Sequence, residues 1–317
     1  MARRGVVLGA GGVLGAAWTI GALAALQEHH QWDPRGAEVL LGTSAGSVLA
    51  AFLGCGTGVD VLLDHQRGIV NAEAPDIRYD PDRDSGRGRP PMPRLGIGSA
   101  RGAFRTATRP WKVTPMGALA TVLPQGRGSL DPIGSLVDAV CPAGDWAGHP
   151  RTWVVAMDYD TGRRVTFGRA GAPAAGLREA VMASCAIPAW YAPVRIGGRR
   201  YVDGGTCSPT SLDLVAGLEL DEVVVLSPMT SLEYDRPGTV VGRLERRFRR
   251  AVTKRVLREA AKVSATGTKV TLLGPGAEDL VGIGVNMMDP TRREQVLETS
   301  LRTSMAALRA APLAAAG

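Results

Sequence analysis

The pentapeptide Gly42-Thr43-Ser44-Ala45-Gly46 limits this chain more than any other stretch. An apolar run, Ala37 to Leu41, leads into it, and an Ala/Leu-rich segment follows. The pattern predicts a strand, a tight turn and a helix, with a serine at the apex. Glycines flank the serine because side chains at a turn this sharp would clash with strand or helix. The turn exposes the Ser44 hydroxyl and sets it near a helix N-terminus, where negative charge is favoured. A nucleophile needs both.

A second glycine-rich turn lies upstream. Val6-Val7-Leu8 reads as a short buried strand that runs into Gly9-Ala10-Gly11-Gly12-Val13-Leu14-Gly15, and a helix is expected from Ala16 to about Glu28. Bare glycines at a strand-to-helix turn leave N–H groups free to point at an anion. Two functions fit: an oxyanion hole, or a site for a dinucleotide pyrophosphate. The dinucleotide pattern G-x-G-x-x-G would place its third glycine at Leu14, so the spacing fits poorly; Glu28 and Asp33 are the carboxylates such a reading would use for the ribose. Further on, Tyr201-Val202-Asp203-Gly204-Gly205 puts an aspartate at the end of a strand-like stretch, before an abrupt turn.

In this order, these pieces resemble the patatin-like phospholipase family. The resemblance spans residues 5 to about 210. It identifies Gly11, Gly12 and Gly15 with the family's oxyanion-hole segment. Gly42 and Gly46 correspond to its nucleophile elbow, Ser44 to the nucleophile, and Asp203 to the partner of the serine. Ala183-Ser184-Cys185-Ala186-Ile187-Pro188, with Pro193 beyond, resembles the segment before the catalytic aspartate. Leu14 departs from the pattern: many members have a basic residue there, and its loss removes a charge contact to a lipid headgroup. The resemblance implies a three-layer α/β/α fold with a central, mostly parallel sheet. It also implies an acyl hydrolase that cleaves phospholipid or lysophospholipid esters through a Ser-Asp dyad and an acyl-enzyme. No cofactor and no metal is implied.

Elimination among the bases leads to the same dyad. A serine hydrolase ordinarily uses a histidine as general base. The chain has four histidines: His29, His30, His65 and His149. The order Ser, acid, His leaves His149 and, less well, His65. His149 sits in a loop-like Trp-Ala-Gly-His-Pro stretch, and His29-His30 end a helix, where a positive tip complements the dipole. Asp203 is the better base, provided that burial raises its pKa from the ordinary value of about 3.9. Water or another alcohol could resolve the acyl-enzyme. The N–H groups of Gly11, Gly12 and Ala45 are the candidate oxyanion donors.

Composition sets further bounds. With 317 residues and 45% hydrophobic content the chain can bury a large core. Cys55, Cys141, Cys185 and Cys207 show no metal spacing, and reduced thiols are expected. Arg3-Arg4 before an uncharged run, 5–27, imitates a signal peptide. The six glycines of that run gather mostly at one turn, so a strand–loop–helix is the better account. A cytoplasmic protein, peripheral at the inner membrane face, is the corresponding expectation.

Charge is unevenly spread. Between 85 and 130 there are eight basic residues (Arg87, Arg89, Arg94, Arg101, Arg105, Arg109, Lys112 and Arg127), six prolines, eight glycines and no acid. This predicts an insertion, about 76–130, in a single domain whose core spans about 5–75 and 131–275; the insertion is a lid, a membrane-facing cap or a solvated loop. Residues 243–262 hold nine basic and two acidic residues, with Val241, Leu244, Phe248, Val252 and Val256 at helical spacing. A basic amphipathic helix over about 240–262 follows, its apolar stripe in the core, with docking on an anionic membrane as the alternative. Strands are expected at Thr152–Asp158, Arg164–Phe167, Glu222–Leu226 and Lys269–Leu273, helices at Leu177–Ala183 and Arg292–Ala311, and Asp158 and Asp160 as turn formers. No nucleic-acid motif is present. The rival functions are a dinucleotide-dependent oxidoreductase on Gly9–Gly15 and a catalytically silent membrane-associated protein.

Overall fold

Short apolar runs with no polar alternation form strands that are covered on both faces. Three such runs make the centre of the sheet: β1 (Arg4–Leu8), β2 (Val39–Thr43) and β7 (Glu222–Leu226). Flanking them are β3 (Thr152–Asp158), β4 (Arg164–Phe167), β5 (Val194–Ile196), β6 (Arg199–Asp203) and β8 (Lys269–Leu273). The computed structural model describes residues 2–72, 74, 77, 80, 91–108, 111, 113–141, 145–233 and 237–310. The hydrogen-bonded order is β5-β6-β3-β2-β1-β7-β8, with β4 also on β3. β8, β7, β1, β2 and β3 are parallel; β4, β5 and β6 join antiparallel.

Side chains alternate across the sheet with a period of two. On one face Val6, Leu8, Leu40, Val224 and Leu226 pack under α1 (Gly12–His30), α2 (Ala45–Gly54), α3 (Val59–Arg67) and α10 (Arg293–Ala310). On the other, Val7, Leu41, Val223 and Val225 meet Leu212, Val215 and Val263, the last from α8 (Val240–Ser264). Next to β3 and β6 lie α6 (Asp131–Asp138) and α7 (Leu177–Cys185). The remaining helices are α4 (Ala100–Thr108), α5 (Pro115–Val122) and α9 (Ala277–Ile283). The result is a single three-layer α/β/α domain, the class the resemblance implied.

Three local readings need correction. The first long helix begins at Gly12, not Ala16, so the glycine-rich stretch supplies its first turn. Within 76–130, read as poor in regular structure, α4 and α5 are present; Thr114 starts α5 by accepting the Gly117 N–H at 3.0 Å. Arg87, Arg89, Arg109 and Lys112 lie outside the described residues. Asp158 and Asp160 do form a turn: Asp158 Oδ1 accepts the N–H groups of Asp160 and Thr161 at 3.0 and 2.9 Å, while Asp160 pairs with Arg200.

The third correction concerns α8. Val252 and Val256 are buried, but Val241, Leu244 and Phe248 face solvent. The cause is helical drift. A helix turns 100° per residue, so each four-residue step advances the stripe by about 40°, and Val256 lies about 120° around from Leu244. The buried face of the first turns holds Arg246 and Arg249 instead, both paired with Glu245.

The close approach of α2 to β1 depends on one residue. A Cβ on Gly46 would overlap the Leu8 carbonyl, whereas one on Gly148 would have nothing within 4 Å. Gly46→Ala should therefore lose about 3 kcal/mol of stability, and Gly148→Ala should stay within about 0.5 kcal/mol of wild type. Denaturant melts of the two variants compare them directly; coincident midpoints would contradict the packing of α2 on β1.

Candidate active site

The register around β3 brings two distant residues together. β4 occupies one edge of β3, pairing with Val154 through Met157. β2 pairs with β3 as far as Thr43↔Val155, and β6 pairs as far as Asp203↔Ala156. Since Val155 and Ala156 both also pair with β4, β2 and β6 must share the opposite edge. They run toward each other along it and stop on adjacent residues of β3. Ser44 follows Thr43 directly, and Asp203 closes β6. The Ser44 side chain lies beside the Asp203 carboxylate and acts to lower its pKa. Both residues are buried.

The join is held from beneath by residues 183–188. Where the two strands end, Ser184 Oγ accepts the Ser44 N–H at 2.8 Å and donates to the Val155 carbonyl at 2.6 Å. The Asp203 N–H donates to the Ala186 carbonyl at 2.9 Å. Ser47 adds a third tie: its hydroxyl donates to the Ser44 carbonyl at 2.6 Å. Ser44 itself has φ 54° and ψ −126°, outside the regions that L-residues ordinarily populate. Such a conformation costs of order 1–3 kcal/mol and persists only where neighbours over-determine it. Here the neighbours are these hydrogen bonds.

The third component is the glycine-rich turn. The Asp203–Gly205 turn abuts it, since a Cβ on Gly205 would lie 3.3 Å from that of Ala10. Gly12 has φ 60°, which suits glycine. A side chain there would also meet the Met288 sulfur at 2.9 Å. The Leu14 N–H is taken by the Met287 carbonyl at 2.9 Å. Among the described residues no acceptor takes the N–H groups of Gly11, Gly12 or Ala45. The starts of α1 and α2 thus present free donors and positive dipole ends beside one hydroxyl.

Burial is the largest influence on Asp203. It pushes the carboxyl up from 3.8 to about 6, against the Ser44 side chain and a hydrogen bond from the Gly205 N–H at 2.7 Å. No basic side chain contributes to that balance. Cys185, next to Ser47, is fully buried and its thiol is pushed far up, so it carries no thiolate at neutral pH. His149 is elsewhere, with Nε2 2.6 Å from the Ala37 carbonyl. Asp33 caps residues 34–36 and pairs with Arg35 at 2.6 Å. Leu14 is wholly buried in the core. No group of metal-ligating side chains occurs among the described residues.

A cleft opens at Ser44. Its walls are apolar: Val13, Ala16 and Ile20 of α1, Val48 and Phe52 of α2, and Ile133 and Leu136 of α6. The lining follows α2 from Ala45 to Phe52, roughly 10 Å at 1.5 Å per residue. His65 and Gln66 of α3 supply a polar stretch of wall. His65, weighed as a base from sequence, therefore belongs to the cleft and not to the Ser44–Asp203 pair. The serines at 47 and 184 were not identified as supports from sequence. The second lies in a segment noticed only through family resemblance, whose hydrogen-bonding task has no local signature.

No curated protein matches the chain. Among solved structures, a similar chain is that of the crystal structure of VipD from Legionella pneumophila, at 15% identity and a TM-score of 0.48, covering 98% of this chain and 67% of that one. The family model described as patatin-like phospholipase matches residues 6–216, more than half of the chain. The chain belongs to the patatin-like phospholipase family, a family of lipid acyl hydrolases.

Proposed function

We propose that this protein is a serine hydrolase that cleaves phospholipid or lysophospholipid acyl esters through a Ser44–Asp203 dyad. The observation that carries this reading is the meeting of Ser44 and Asp203, both buried, on one edge of β3 beside an apolar cleft. The acyl chain lies in the cleft with its carbonyl beside Ser44. Ionised Asp203 takes the hydroxyl proton as Ser44 Oγ attacks the carbonyl carbon. The oxyanion is met by the N–H groups of Gly11 and Gly12, with that of Ala45 from the elbow. A single donor of this kind is worth about 3–4 kcal/mol in the transition state. Collapse expels the alcohol, which takes the proton from Asp203. Water then attacks the acyl-enzyme with Asp203 again as base, and the serine is restored. Gly42 and Gly46 let the elbow form, and neither a metal nor a cofactor takes part.

The pKa of Asp203 suits this work. A base with a pKa near 6 is largely ionised at pH 7, yet binds a proton far better than an ordinary carboxylate. No helix among the described residues is long and apolar enough to cross a membrane. Access to lipid in this reading is peripheral.

Two measurements test the dyad. On a panel of acyl esters, Ser44→Ala should abolish turnover, and a serine-directed phosphonate should label wild type at position 44; full activity in Ser44→Ala would end the proposal. The kcat/KM profile should rise with pH through a single ionisation near 6.

Stability should move in the opposite sense. Since the folded carboxyl has the higher pKa, its contribution is intact below 3.8 and is lost as pH rises toward 6. That loss is about 3 kcal/mol once complete. Asp203→Asn should therefore be inactive yet more stable than wild type by about that amount at pH 8, with the difference vanishing at pH 3.5. Chemical denaturation at the two pH values reads this directly, and a variant that is no more stable at pH 8 would show that Asp203 ionises without cost.

A further inference from the structure

We propose that the first two turns of α8, residues 240–248, dock the protein on an anionic lipid surface beside the mouth of the catalytic cleft. The choice of lipid as partner rests on the hydrolase reading above; the surface itself does not.

The outward face of these turns is unusual for a helix in water. Val240, Val241 and Leu244 are 79%, 63% and 67% exposed, and Phe248 is exposed as well. Arg243 and Arg247 are exposed among them. The only acids between 243 and 262, Glu245 and Glu259, turn inward, their side chains 15% and 5% exposed on ion pairs with Arg249 and Arg255. The outer face therefore carries cations and apolar groups and no anion. An apolar stripe flanked by arginines matches a lipid surface, where phosphates meet the guanidinium groups and the acyl boundary takes the Val and Leu side chains. A nucleic acid or an acidic protein would use the arginines and gain little from Val240 or Leu244.

Position supports the same partner. Arg249 reaches inward from these turns to the Pro228 carbonyl at 2.7 Å and to the Met287 sulfur at 3.2 Å. Pro228 packs on Gly11 and Gly15, and Met288, next to Met287, lines the cleft. Arg249 and Pro228 thus link these turns of the helix to the oxyanion turn.

Vesicle flotation tests this without turnover. Wild type should float with vesicles of phosphatidylglycerol and phosphatidylcholine at 0.1 M salt, and at least tenfold less with phosphatidylcholine alone. Leu244→Glu should weaken binding at least tenfold, the neutral Leu244→Ser several-fold, and Arg243→Gln with Arg247→Gln several-fold. Leu257→Glu adds the same charge about 20 Å further along the helix, beyond the Debye length of about 8 Å, and should bind as wild type does. All four variants should retain wild-type rates on a water-soluble ester and wild-type melting. Failure of wild type to float, equal binding to neutral vesicles, or equal loss from Leu257→Glu and Leu244→Glu would each overturn the proposal. If wild type floats as expected but Ser44→Ala still hydrolyses esters, docking stands and the dyad falls.

Discussion

The site depends on one edge of one strand. β3 accepts two strands on the same side, end to end, and the residues that close them are one step apart. Parallel β2 delivers Ser44 upward; antiparallel β6 delivers Asp203 downward. Neither strand could be longer without displacing the other. The gap between them leaves main-chain groups without ladder partners, and a buried polar group left unpaired costs about 1–3 kcal/mol. Ser184 fills the gap by bridging the Ser44 N–H and the Val155 carbonyl. A sheet defect and its repair thus become the floor of a reaction site.

Around this join the protein holds states that are unfavourable in isolation. Ser44 keeps a positive φ. Asp203 is buried without a cationic partner, and its pKa rises accordingly. Helix starts at Gly12 and Ala45 leave amides unpaired. Each is affordable because the surrounding core is large: β2 and β7 are buried throughout and β1 from Gly5 onward, and α1 is apolar on most of its circumference, sandwiched between the sheet and α10.

Much of this was legible in the sequence, though for different reasons at different places. Buried parallel strands announce themselves as continuous apolar runs, so β7 has the limits read from sequence; the half-buried edge strand β8 has them too. The Gly-x-Ser-x-Gly turn is equally local. The pairing of Ser44 with Asp203 is not, because it is made by registers on a third strand; resemblance and the shortage of suitable histidines pointed to Asp203, but nothing within a short window could. The task of Ser184 was hidden for the same reason. The first helix was placed four residues late because glycines at 11, 12 and 15 argue for a loop, while the Met287 carbonyl, distant in sequence, secures its first turn. The reversed face of α8 was missed because counting apolar residues at four-residue steps ignores their drift around the helix axis. The inward arginines could be recognised only once Glu245, Pro228 and Met287 were seen to receive them.

The cleft divides its labour between two kinds of wall. At the reacting end the geometry belongs to the main chain: Gly46 lies against the Leu8 carbonyl and Gly12 against the Met287 carbonyl, so a side chain at either position meets backbone. Farther in, the lining is side chain, from α3 and α6, held by ordinary packing. Exchanging Leu62, Ile133 or Leu136 for residues of similar volume reshapes what the cleft admits and leaves the reacting groups where they are. Such an architecture lets selectivity evolve by small steps while the chemistry is inherited unchanged.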